Sequence, residues 1–201
     1  YLVRNSDDPL ITAMKLAIAG NIIDFAVNDH CDLHGTVDKV LNSGFAVDHT
    51  RQLREALSKA TKVLYIGDNA GEIVFDKLLV SKIAHPGLTF SVRGAPAIND
   101  ATMEDAEYVG MTSLTRVISS GYDAPTTIVS RSGDEFRRCY EEADLIISKG
   151  QGNLEGLIGE HDRRIFFLLM VKCDVIAEYL GVEKGSYVAY NDLIENKKQN
   201  K

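Results

Sequence analysis

The sequence predicts an α/β fold: a three-layer α/β/α arrangement around a mostly parallel, Rossmann-like sheet, with a helical segment at the N-terminal end. Two observations carry this. The runs "KVLYIG" (62–67), "LTFSVRG" (88–94), "TRVIS" (115–119), "DLIISKG" (144–150), "RIFFLLMVK" (163–172) and "GSYVAYN" (185–191) are mostly continuous in apolar character, as strands covered on both faces must be. Helical patterns at roughly 71–84, 101–109, 134–142 and 174–180 lie between several of them, which gives repeated β-α-β units joined by right-handed crossovers.

Taken in chain order, "NSDDP" offers a helix start. Leu10, Ile11, Met14, Ala17, Ile18, Ile22 and Phe25 then recur at steps of three and four, the signature of an amphipathic helix. A second helix is expected over 48–59, with Leu53, Leu57 and Ala60 facing inward. Residues 1–60 thus form the helical segment and 61–201 the α/β core, within one continuous domain. "HPG" at 85–87 reads as a turn, Gly181 as a helix C-cap, and "ENKKQNK" as a frayed tail. Residue 1 is Tyr rather than Met, so the chain is expected to be incomplete at that end.

The 201 residues are 45% hydrophobic and 25% charged, an ordinary globular composition with enough length for one sizeable core. Twenty-two basic against 29 acidic residues give a net charge of −7, which opposes binding to nucleic acid or anionic lipid. A small phosphorylated metabolite is still accessible if a metal ion or a local lysine reverses the sign at the site. Three widely spaced cysteines with no CxxC pair read as reduced and cytoplasmic, and no apolar run resembles a membrane span.

Ligands of an open α/β sheet bind beyond the carboxyl ends of its strands. Those ends carry Asp68 and Asn69; Arg93 followed by Asn99 and Asp100; Ser119 and Ser120; Lys149 with Gly150, Gln151, Gly152 and Asn153; and Lys172. Asp68, Asn69 and Asp100 offer two carboxylates and one amide carbonyl, the donor set of a hard divalent cation such as Mg²⁺ or Mn²⁺. Asp100 or Asn99 would alternatively serve as the N-cap of the following helix. Lys149 suits a phosphoryl oxygen, with the amides of "GQG" reaching the same group; the competing reading is a surface lysine in a flexible loop. Arg93 could equally form a surface salt bridge. Gly67 and Gly71 allow the sharp turn between them, and Glu72 reads as a favourable charge in the first helical turn. His30, Cys31 and His34 of "DHCDLH" have a spacing common by chance, His49, His85 and His161 read as isolated and solvated, and Cys139 and Cys173 as small buried fillers.

With "AGNIID" (19–24), "GDNAGE" (67–72), "RGAPAINDAT" (93–102) and "SKGQGN" (148–153) in view, the chain resembles the metal-dependent damage-control phosphatases, domain of unknown function 89, over essentially its whole length. The resemblance implies a divalent metal (Mn²⁺, Mg²⁺, Co²⁺ or Ni²⁺) held by Asp68, Asn69 and Asp100, with Lys149 and the 149–153 loop contacting substrate phosphate. Asn21 and Asp24 match a Gly-Asn-x-x-Asp element of the helical part. It implies hydrolysis of small phosphate monoesters, such as sugar phosphates or damaged phosphorylated metabolites. Family members usually carry more helical sequence before the "AGN" element than this chain does. Two other functions fit parts of the pattern. "VLYIGDNAGE" echoes the loop of S-adenosylmethionine-dependent methyltransferases, although Asn69-Ala70 replaces the glycine-rich middle and no acidic residue closes the next strand. A non-enzymatic nucleotide or metabolite sensor could use the same crevice.

Overall fold

The structure, a computed structural model, describes residues 2–25 and 33–194, without the side chains of residues 21–25, 33, 34 and 36. In chain order the helices are α1 (Pro9–Phe25), α2 (Leu33–Asn42), α3 (Thr50–Leu57), α4 (Ile73–Ile83), α5 (Met103–Tyr108), α6 (Asp134–Glu142), α7 (Gln151–Leu157) and α8 (Asp174–Leu180). The strands are β1 (Val47–Asp48), β2 (Val63–Ile66), β3 (Leu88–Val92), β4 (Arg116–Ser119), β5 (Leu145–Lys149), β6 (Ile165–Met170) and β7 (Tyr187–Tyr190).

They form one seven-stranded sheet in the order β1-β7-β6-β5-β2-β3-β4. Every neighbouring pair is parallel except β6 and β7. All six strands expected from the sequence are present. The β1 strand comes from the segment expected to be helical or connecting, and it pairs Val47 with Val188 and Asp48 with Ala189. Two residues are too few to show a period, so only the partner strand reveals them. The stretch after Lys149, expected as a glycine-rich loop, is helical from Gln151 onward.

Alternation along the central strands divides the core into two layers. Val63 and Tyr65 of β2, with Leu145 and Ile147 of β5, pack on one face with Ala13, Met14, Ala17 and Ile18 of α1 and Leu79 and Val80 of α4. Leu64, Ile66 and Ile146 face the other way, onto Phe136 and Tyr140 of α6, Leu154 and Leu157 of α7, and Ile176 of α8. This two-sided covering is why the strands read as unbroken apolar runs. At the amino ends of β2 and β5, the Asp144 carboxylate accepts hydrogen bonds from the Thr61 and Lys62 amides at 2.8 and 2.9 Å, fixing the register of that pair. His49 is buried rather than solvated: its Nδ1 accepts from the Asn191 amide at 3.0 Å. Cys139 and Cys173 are half-buried thiols. Among the described residues no helix is long and apolar enough to cross a membrane.

The strand order places the site. From β2 the chain proceeds outward through β3 and β4, whereas β5, β6 and β7 build the opposite half. The crevice at such a reversal opens at the carboxyl ends of the two central strands, here β2 and β5. Ile147, fully buried in β5, should be a sensitive core position: Ile147→Ala is expected to lower unfolding stability by about 2–5 kcal/mol in urea titration.

Candidate active site

Asp68 and Asn69 follow β2 directly, and Asp100 lies in the segment between β3 and α5. The two segments are stitched together through their backbones. Asn69 and Asp100 form an isolated antiparallel bridge, the Ala70 amide donates to the Asn99 carbonyl at 2.8 Å, and the Ala101 amide donates to the Asp68 carbonyl at 2.8 Å. The structure therefore brings all three expected oxygen donors to one place, and all three are buried. Asp100 is not the cap of α5. That position belongs to Thr102, whose amide and hydroxyl both donate to Asp105, at 2.7 and 2.8 Å. Just before the bridge, Ile98 holds φ = 53° with its side chain 89% exposed. A β-branched residue is held in that region only where the surrounding backbone contacts demand it.

Arg93 is buried behind Asp100 rather than on the surface. Its Nε donates to Asp100 Oδ2 at 2.5 Å, its Nη1 to the Thr126 carbonyl at 2.6 Å, and its Nη2 to Asn153 Oδ1 at 3.3 Å. Asn153 in turn donates Nδ2 to the Gly67 carbonyl at 3.0 Å and the Lys149 carbonyl at 2.8 Å. One carboxamide thus ties the ends of β2 and β5 together and steadies the guanidinium that holds Asp100. Both residues brace the cleft from within.

Lys149 also differs from expectation. Its ammonium is fully buried and donates to Glu72 Oε2 at 2.8 Å, Asp76 Oδ1 at 2.9 Å and the Ala17 carbonyl at 2.7 Å. Burial acts to lower its pKa, but Asp76 and Glu72 outweigh that and hold it above the ordinary lysine value. Asp76 Oδ1 also accepts from the Tyr65 hydroxyl at 2.6 Å. Glu72, expected only to complement the helix, has its second oxygen 2.9 Å from Asn69 Nδ2.

Four buried carboxylates (Asp68, Glu72, Asp76, Asp100) face two buried cations (Arg93, Lys149), a surplus of two negative charges. Burial, then the neighbouring Asp100 carboxylate, pushes Asp68 up to about 6 against the pull of Lys149, Arg93 and Lys172. Burial raises Asp100 in spite of Arg93, and pushes Glu72 up to about 8 in spite of Lys149. Both Glu72 oxygens accept N–H bonds, so the hydrogen bonding selects its carboxylate form. Two excess charges beside two carboxylates and a carboxamide fit one divalent cation with hard-oxygen preference. Among the described residues no group of three or more His, Cys, Asp or Glu is placed to hold a metal; this donor set contains only two acids, with Asn69 as the third member.

Gly150 lies directly against Asp68. At φ = 80°, its hydrogen occupies a place where a Cβ would lie 1.9 Å from Asp68 Oδ2. Gln151 begins α7, and its Oε1 accepts from the Lys172 amide at 2.8 Å. Lys172 is half-buried and close enough to Asp68 to lower its pKa. Asn99 is exposed, with its carbonyl in the bridge. The side chains of Asn21, Asp24, His30, Cys31 and His34 lie outside the described residues. No signal in the sequence marks Asp76 as part of the site, since an acid in the first turn of a helix is ordinary. The Asn-x-x-Glu spacing of Asn69 and Glu72 was the available clue for the latter. Because native Asp68 holds its proton up to about pH 6, against an ordinary value of 3.8, the native state binds more protons than the unfolded chain in that window. Stability of the metal-free protein is therefore expected to fall by on the order of 3 kcal/mol as pH rises from about 4 to 6, and Asp68→Asn should flatten that slope in pH-dependent denaturant unfolding.

The family model of the damage-control phosphatase ARMT1-like domain matches residues 2–188. The damage-control phosphatase PH1575 of Pyrococcus horikoshii is 43% identical over 183 residues, covering 88% of this chain and 63% of its own length. A damage-control phosphatase of Archaeoglobus fulgidus is 37% identical over 195 residues, covering 94% of this chain and 67% of its own. The chain thus spans about two thirds of the length of these relatives. The crystal structure of a DUF89 family protein from Pyrococcus horikoshii superposes with a TM-score of 0.87 at 39% identity, covering 94% of this chain and 68% of that one. With this extent of match, the chain belongs to the damage-control phosphatase ARMT1-like domain family, DUF89.

Proposed function

We propose that this chain carries the catalytic core of a divalent-metal-dependent phosphatase acting on small phosphate monoesters, sugar phosphates or damaged phosphorylated metabolites. The observation that carries the proposal is the convergence of Asp68, Asn69 and Asp100, three buried oxygen-bearing side chains, at the switch point of the sheet. Family membership and the names of the relatives support the phosphatase chemistry. Asp68, Asn69 and Asp100 would hold the cation, with Mn²⁺, Mg²⁺, Co²⁺ and Ni²⁺ as candidates. When bound, such an ion supplies Lewis-acid stabilisation of a phosphoryl oxygen and lowers the pKa of a bound water.

The chain's own groups do the rest by position and charge. Arg93 clamps Asp100, so this carboxylate stays directed into the cleft. Asp68 or Asp100 orients the attacking water. Lys172, near Asp68, is assigned to the substrate phosphate, together with Gln151, whose Oε1 accepts from the Lys172 amide, Gly152 and Asn99. Lys149, whose three protons are donated inside the protein, supports the reaction through the field it sets behind Asp68. Gly150 lets the β5 backbone approach that carboxylate, and Asn153 holds the two strand ends at that separation. The methyltransferase alternative loses ground because the residue after β3 is Arg93, committed to Asp100, where a ribose-binding acid would be needed.

A metal-by-substrate screen on sugar phosphates tests the proposal. Asp68→Ala and Asp100→Ala are each expected to lose at least about 100-fold of metal-stimulated phosphate release, and full retention in both would overturn it. Protons compete with the cation at Asp68. Metal affinity measured by calorimetric titration should therefore fall by about tenfold per unit as pH drops below about 6.

A further inference from the structure

Deepening that reading, and resting on it, we propose that Glu72 is a positioning residue: it fixes the Asn69 carboxamide with its oxygen toward the cation, while Lys149 and helix α1 hold Glu72 in place. A carboxamide is a poor ligand unless its orientation is set. Its oxygen binds a cation and its amino group repels one, yet the two ends have nearly the same shape. At Asn69 the choice is made by an acceptor, Glu72 Oε1, 2.9 Å from Nδ2. That bond turns Nδ2 toward Glu72 and leaves Oδ1 on the opposite branch.

Glu72 can do this only if its side chain, almost wholly buried, is held in place. Lys149 holds it, donating to Glu72 Oε2 at 2.8 Å. A lysine has three N–H donors, and the other two go to Asp76 and the Ala17 carbonyl, so the ammonium is itself fixed from three directions. The Ala17 bond ties α1 to the back of the site. Three residues further along α1, Gly20 lets the helix lie directly on Glu72. A Cβ there would meet Phe75 Cδ2 at 3.0 Å, Glu72 Cα at 3.1 Å and Glu72 Cγ at 3.2 Å. The glycine of the "AGN" element thus acquires a role: it admits the carboxylate that orients Asn69. Outer groups that orient metal ligands affect metal affinity itself, so the device is measurable without turnover.

Calorimetric titration with Mn²⁺ on the purified chain, with far-UV circular dichroism as the check on folding, tests it. Glu72→Gln keeps the size of the side chain but offers an amino group to Asn69 or to Lys149; it should weaken Mn²⁺ binding by roughly 10- to 100-fold. In an Asn69→Asp background the same change should cost almost nothing, because a carboxylate has two equivalent oxygens and needs no orienting. Gly20→Ala keeps every hydrogen-bonding group and should weaken binding at least about threefold by displacing Glu72, which provides the test even if Glu72→Gln does not fold. Unchanged affinity in both Glu72→Gln and Gly20→Ala, or a Glu72→Gln penalty of the same size with Asp at position 69, would overturn the proposal. Asp68→Ala separates the two levels. Loss of Mn²⁺ binding there with no effect of either Glu72→Gln or Gly20→Ala refutes the orienting role alone, whereas full retention refutes the metal site and the orienting role with it.

Discussion

The site depends on one buried ammonium. Lys149 sits at the end of the central strand β5 with no solvent contact, and its ammonium donates to both Glu72 and Asp76 in the same interior. Buried ions of this kind are costly to bring out of water, and removing one partner leaves the others uncompensated. Tyr65 adds a hydrogen bond to Asp76 from the neighbouring strand β2. The cluster therefore couples β2, β5, α4 and α1, the four elements whose relative placement determines where Asp68 and Asn69 point.

Arg93 does for the other wall what Lys149 does for the first. It leaves β3 and turns back on Asp100, and its remaining donors reach Thr126 and Asn153. Asn153 closes the circuit by bonding the carbonyls that follow β2 and terminate β5. Each of the two cations is thus used to hold an acid, and both, with Lys172, act on Asp68 as well. A cleft with a negative surplus and rigid walls suits a hard cation. Lys172, whose charge lowers the pKa of Asp68, adds a positive group on the same edge of the sheet.

Much of this was legible in the sequence, and the reasons are local. Continuous apolar runs revealed the six longer strands because burial on both faces removes alternation. The polar residues ending those runs located the site, since parallel α/β sheets bind ligands at one edge. Asp68, Asn69 and Asp100 stood out as oxygen-bearing side chains, and the fold brings them together. What local pattern could not supply was the state of each charge. Lys149 and Arg93 carry no mark distinguishing a lysine or arginine that meets solvent from one that meets a buried acid; the distinction lies in partners 77 and 7 residues away. Asp76 looked like any helical acid until β2 and β5 closed over it.

The sequence by itself determined the alternation of strands and helices, the edge on which chemistry would occur and the oxygen donors available there, because these follow from periodicity and residue type. Only the tertiary structure decided the strand order that makes β2 and β5 neighbours, the backbone bridge that joins Asn69 to Asp100, and the burial of Lys149. Those are contacts between segments distant along the chain, and their free energy resides in desolvation and charge pairing that no single segment possesses.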